Sequence, residues 1–237
     1  MVMFVLTPLE VHSNDLVVAD SLKSVHEYGN ALELYRAAVE SDSSDVETLL
    51  NLGDCLISYA ELQPEDNQLP YYEEAYTILR KANRLDSNNA DVHFQIARTQ
   101  GRVALFKGVW SSIGLAKEVK SEVDKALELN PKHDGALHIL GRWHREASEK
   151  PKIFRAPIGL GSANKEDALR ALKEAVKLRP DYINHHLELG KTYISIEKYP
   201  EARNQLYIVL NLEPQKPIEL DYQKEAKELL EAIEGKI

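Results

Sequence analysis

The sequence predicts an all-α chain of antiparallel helix pairs, and three columns of small residues carry that expectation. The first column holds Ala19, Gly53, Ala97, Gly141 and Gly190; the second Ala31, Ala75, Val119, Ala168 and Ala202; the third Ala38, Ala82, Ala126, Ala175 and Val209. Side chains this small recur where two helices must cross at close range. The columns stay in step through every change of spacing between them. A fourth column, Ser43, Ser87, Pro131, Pro180 and Pro214, stops the second helix of each pair.

The clearest unit is the 34-residue stretch 183–216. Within it Gly190 and Ala202 mark the crossing, Leu189, Tyr193 and Leu206 fill the space beside it, and Tyr199-Pro200 closes the turn, since proline is tolerated only at the start of a helix. Leu189-Gly190, Tyr193, Tyr199, Ala202, Leu206, Val209 and Pro214 together resemble the tetratricopeptide repeat. The resemblance implies a right-handed α-solenoid of about five helix pairs, at roughly 15–42, 46–86, 90–129, 134–178 and 183–212. The stop column advances by 44, 44, 49 and 34 residues, so the second and third pairs carry 10 extra residues and the fourth 15, all between their two helices. Tyr222, Ala226, Leu229, Leu230 and Ile233 give residues 218–234 the apolar stripe of a capping helix, which a solenoid needs over its last open face.

Bulk properties narrow the function. With 237 residues, 43% of them apolar, the chain can bury a sizeable core. A net charge of -9 argues against nucleic acid as a bulk partner. Cys55 is the only cysteine, which excludes an intrachain disulfide and reads as a buried packing thiol. No apolar run reaches the length of a transmembrane segment. Residues 1–14 read as an N-terminal arm or a cropped signal segment, and 15–237 as the repeat domain. The expected compartment is the cytoplasm, or outside it if residues 1–13 are a signal-peptide remnant.

The run LAKEVKSEVDKALELNPKHDGALHILGRWHRE at 115–146, an interrupted repeat after it, and then KTYISIEKYPEAR at 191–203 resemble the repeat domain of the regulator of microtubule dynamics family, in its shorter, anchorless, prokaryotic-type form. The likeness spans about 70–235, and Gly141-Arg142-Trp143 is its most specific part. The insert from Phe154 to Gly161 departs from it. Eukaryotic members are associated with microtubules, membrane contact and lipid binding, which the resemblance carries here only as an implication.

No nucleophile and base stand at a catalytic spacing, so a non-enzymatic role without cofactor or metal is expected. Gly159 to Lys165 lacks the strand and the Ser/Thr of a phosphate loop, and reads as a loop whose Ser162 or Asn164 caps the next helix. His138, His144 and His185 can converge from adjacent helices, but no carboxylate or thiol stands at a supporting spacing for zinc. His144 stands in the column of Tyr193 and reads as a packing residue.

In tetratricopeptide arrays the first helices line the concave face. Applied to these columns, that places Phe94, Arg98, Arg102, His138, Arg142, Arg145 and Lys191 on one wall from the third pair onward, a basic reversal within an acidic chain. The same positions in the first two pairs are acidic or neutral, with Leu16, Asp20, Glu47, Leu50, Asn51 and Asp54. The expected function is a scaffold binding an acidic or carboxylate-bearing segment of a protein or peptide. Two alternatives stand beside it. The arginines pair internally with Asp91, Glu146 or Glu188; or the chain carries an anionic amphiphile or lipid, with Phe106, Trp110, Phe154 and Ile158 forming an apolar pocket.

Overall fold

A computed structural model describes residues 13–107 and 113–237, and every regular element among them is helical. Residues 1–12, most of the expected arm, lie outside the described residues, as does Trp110. The chain divides into two compact units, meeting in sequence at Asn88 and Asn89.

The first unit contains α1 (Ser13–Ser24), α2 (Tyr28–Ser41), α3 (Val46–Ala60) and α4 (Leu69–Leu85), with a short 3₁₀ turn at Glu65–Asn67. Asp45 caps α3 by accepting from the amides of Glu47 and Thr48. Gly53 lies where α3 crosses α4, and a Cβ there would sit 2.6 Å from Leu79 Cδ2. Arg36 on α2 bridges to Glu74 on α4 at 2.7 Å, and Lys23 reaches Asp54 at 3.1 Å. Cys55 is fully buried, and burial pushes its thiol up to about 12, which keeps it protonated and inert.

The second unit contains α5 (Ala90–Lys107), α6 (Ile113–Leu129), α7 (Asp134–Ser148), the single turn α8 (Lys152–Arg155), α9 (Lys165–Leu178), α10 (Ile183–Ser195), α11 (Tyr199–Asn211) and α12 (Glu219–Ala232). The pairs are α5 with α6, α7 with α9, and α10 with α11, while α12 packs on α10 and α11. At the α7/α9 crossing a Cβ on Gly141 would lie 2.4 Å from Leu172 Cγ and 3.1 Å from the Ala168 carbonyl. At the α10/α11 crossing Gly190 has slightly more room, 3.0 Å to Leu206 Cδ2. The expected small-residue columns are therefore the helix-crossing lines. The architecture of the described residues is all-α and tetratricopeptide-type, five helix pairs with a C-terminal cap.

The tight turn after α10 uses a left-handed residue, Glu197 at φ 62°. The Lys198 amide then reaches back to the Tyr193 carbonyl at 2.9 Å and the Glu197 amide to Ile194 at 3.0 Å, so the open carbonyls at the end of α10 are paired. His26, at φ 65°, ends α1 in the same way. Pro200 follows as the second residue of α11, where no helical amide is lost.

The insert between α7 and α9 folds on Arg155. This buried guanidinium donates to the carbonyls of Lys150, Leu160 and Gly161 at 3.0, 2.9 and 3.2 Å. Leu160 and Ala163 thereby enter a core cluster with Val119, Val123 and Trp143, and Ile158 packs against it. Trp143 Nε1 donates to the Ala116 carbonyl at 2.7 Å. Asn164 caps α9 by accepting from the Asp167 amide, and its own amide donates to His144 Nδ1. Of the two candidate caps, Asn164 takes the role. At the C-terminal end Ala226 of α12 and Ile233, which follows it, close a second cluster with Leu189, Leu206 and Val209.

Candidate functional site: a basic wall around a buried carboxylate

Helices α5, α7, α10 and α12 are the first helices of successive pairs and the cap, and each touches its neighbour in this layer. Spacing sets which side chains share a face. His138, Arg142 and Arg145 fall at i, i+4 and i+7 on α7, Arg98 and Arg102 one turn apart on α5, and Glu188 and Lys191 three apart on α10.

Glu188 is the centre of this wall, and it is 3% exposed. Its Oε2 lies 2.6 Å from Arg145 Nη2 and 3.5 Å from Arg142 Nε, and its Oε1 lies 3.2 Å from Lys191 Nζ. Oε2 accepts no hydrogen bond of good angle, so its contacts are close ion pairs rather than directed bonds. Burial opposes its charge, but Arg145, Arg142 and Lys191 outweigh burial and hold the carboxyl well below the usual carboxylate range. Burial likewise opposes charge on Arg145. Glu188 and Glu146 overcome it, and the guanidinium stays protonated, with further bonds to the Glu188 carbonyl at 3.1 Å and Thr192 Oγ1 at 3.4 Å.

The expected wall therefore divides into two kinds of residue. Arg145 is 6% exposed and committed to Glu188 and Glu146, so it is an internal counterion and not a ligand-facing group. His138 is likewise buried. Phe94 packs its ring on His133 at 4.6 Å and fills the space above Gly135, which ties α5 to α7. The part-exposed cations are Arg98, Arg102, Arg142 and Lys191. Arg98 Nη1 is 3.5 Å from Gln95 Oε1, and Asp91 accompanies His133, so the suggested Arg98–Asp91 pair is replaced by these two contacts. The suggested Arg142–Glu188 pair is present.

Of the expected apolar pocket's described members, Phe154 and Ile158 lie in different surroundings. Ile158 packs on the Trp143 cluster, whereas Phe154 is 69% exposed on α8 and Phe106 is half-buried in the last turn of α5. Arg155 is the physical reason, because its three carbonyl bonds turn one side of the insert inward and leave Ile153 and Phe154 on the other.

Beneath the wall His138 and His185 converge from adjacent helices, as their spacing allowed, and a carboxylate that sequence spacing did not supply, part-buried Asp134, supports them. Asp134 Oδ2 accepts from His185 Nε2 at 3.0 Å, and His185 Nδ1 lies 3.0 Å from His138 Nδ1. With His185 donating to the carboxylate, its neutral ring leaves Nδ1 as an acceptor, and His138 must donate from Nδ1. Burial first, and the neighbouring imidazole second, push His138 well below its ordinary value. Burial also lowers His185, against the opposing pull of Asp134. Arg179, Arg142, Arg145, Glu188 and His186 complete the charged surroundings. Groups whose folded values are depressed bind fewer protons folded than unfolded, so the stability they support is full above about pH 6.5 and falls as pH drops below it. Urea midpoints followed between neutral pH and pH 5 should decline for the wild type and decline less for His138→Gln. Parallel pH profiles would remove the pair as the cause.

Three residues of this site were missed as functional elements: Asp134, and Tyr222 and Glu225 from α12. Every residue from Ile183 to Gly190 is buried, so the polar set Asn184, His185, His186 and Glu188 within that run was the available signal for an internal network.

Bovine (Bos taurus) regulator of microtubule dynamics protein 1 is 27% identical over 76% of this chain and 59% of its own length. Regulator of microtubule dynamics protein 3 of Rattus norvegicus is 30% identical over 74% of this chain and 39% of its own length. The chain thus spans less than two thirds of these curated relatives. Among solved structures, a thermophilic TPR protein of Thermus thermophilus, TTC0263, superposes with a TM-score of 0.67 over 92% of this chain and 97% of its own, at 18% identity. YrrB, a TPR protein with an unusual peptide-binding site, superposes with a TM-score of 0.50 over 90% of this chain and 91% of its own, at 19% identity. The profile of the regulator of microtubule dynamics protein 1–3 family matches residues 16–234, and the chain belongs to that family.

Proposed function

We propose that the second unit is a non-enzymatic binding scaffold whose wall takes an acidic segment of another protein at Arg98, Arg102, Arg142 and Lys191. One observation carries this reading. The wall already holds a carboxylate, Glu188, and two of its part-exposed cations, Arg142 and Lys191, take part in holding it, which supports a reading of carboxylate recognition. The peptide-binding site of YrrB, which has the same fold, is a supporting analogy. The carrier reading has less support, since Phe154 is exposed while Ile158 packs on the Trp143 cluster.

The test is fluorescence anisotropy with a labelled oligoglutamate, using the full chain. Binding should weaken as salt rises, and Arg98→Glu should weaken it roughly tenfold while leaving the melting temperature nearly unchanged. Arg142→Glu is a poor probe, because it would place a second carboxylate beside buried Glu188. Absence of salt-sensitive binding by the wild type would overturn the reading.

A further inference from the structure

The C-terminal helix brings its own carboxylates to this wall. α12 carries Glu219, Asp221, Glu225, Glu228 and Glu231 against Lys224 and Lys227, and is therefore acidic. Its residue Ala226, and Ile233 just after it, are buried in the core cluster. The Tyr222 ring packs against the same cluster, while its hydroxyl and the Glu225 carboxylate, three residues on and so on one side of the helix, meet the basic residues. The Tyr222 hydroxyl lies 3.4 Å from Arg102 Nη2, across 120 residues of sequence. Glu225 Oε1 lies 2.5 Å from Lys191 Nζ, the same ammonium that is 3.2 Å from Glu188.

We infer that α12 is a resident acidic occupant of the wall, and that an external acidic segment competes with Tyr222 and Glu225 for Arg102 and Lys191. This rests on the acidic-segment reading above and gives it a partner chemistry: a helix presenting an aromatic hydroxyl and a carboxylate one turn apart. The two ends of the competition differ in strength. Glu188 is 3% exposed and stays in place, while the Glu225 side chain is 40% exposed. Part-exposed ion pairs are individually weak, so a segment bringing several carboxylates can displace Glu225. Ala226 and Ile233 meanwhile keep α12 seated on the core, so the exchange loosens the polar edge of the helix without uncovering the apolar face.

The test compares the wild type with Tyr222→Phe/Glu225→Gln, which keeps the buried side chains of α12, by oligoglutamate anisotropy. A site freed of its internal competitor binds more tightly in proportion to the fraction newly available, and about fivefold tighter binding is expected. Glu225→Gln alone should give a smaller gain in the same direction, which guards against a fold defect in the double variant. Added oligoglutamate should also speed amide exchange in the first turns of α12 in the wild type. Equal affinity of wild type and variants, with binding still weakened in Arg98→Glu, would overturn the occupant role and leave the acidic-segment reading standing. No binding by any of them would overturn both.

Discussion

Glu188→Ala should lower the stability of the second unit by about 3–5 kcal/mol, because it leaves the Arg145 guanidinium buried without its main counterion. The effect is expected to exceed that of ordinary truncations on this wall, since Arg145 is 6% exposed and cannot turn to solvent without unpacking α7 from α10. Replacing both partners, as Glu188→Met/Arg145→Met, should recover much of the loss, because two apolar side chains of similar length leave no uncompensated charge. Both tryptophans of the chain, Trp110 and Trp143, fall in the 89–237 unit, so the fluorescence midpoint in urea reports on that unit alone. A double variant as unstable as the single one would show that Glu188 acts through something other than its pairing with Arg145.

Gly141→Leu should be nearly as damaging. The site lacks room even for a methyl group, with Leu172 Cγ at 2.4 Å and the Ala168 carbonyl at 3.1 Å from a built Cβ, and a backbone oxygen cannot rotate aside. Overpacking of this kind costs about 1–3 kcal/mol and sometimes more. The milder pair Gly141→Ala and Gly190→Ala separates geometry from propensity. At Gly190 the nearest atom is the end of Leu206 at 3.0 Å, which can yield, and alanine returns about 1 kcal/mol of helix propensity, so near-neutrality is expected there. Gly141→Ala should melt clearly lower. Equal melting temperatures for the two alanine variants would contradict the tighter crossing assigned to α7 and α9.

The fold was legible because helix crossings constrain volume, and volume is written into the sequence. Gly141, Gly190 and Ala202 cannot be exchanged for larger residues without parting two helices, so the crossing line survives insertions of any length elsewhere. The wall was legible as a list of cations. Glu188 was legible as one of three candidate partners for the arginines, but its burial at the centre was not, because that depends on Arg145 reaching across from another helix, 43 residues away, and helical period alone carries no such distance. The insert failed for a different reason. Its run of Ile153, Phe154, Ile158 and Leu160 has no period, and which of them turn inward is decided by the three carbonyls that Arg155 collects. The meeting of Tyr222 with Arg102 joins residues 120 apart in sequence, and the helical period within either segment carries no such contact.

The central claim is that an external carboxylate segment is taken by Arg98, Arg102, Arg142 and Lys191, of which Arg98, Arg142 and Lys191 serve as reporters, while Arg145 is reserved for Glu188. Side-chain nitrogen NMR, observing arginine Nε and lysine Nζ during titration with oligoglutamate, reads each of these groups separately. Shifts in Arg98, Arg142 and Lys191 with Arg145 unmoved are predicted; a titration that leaves those three unmoved, or that moves Arg145 instead, would contradict the account.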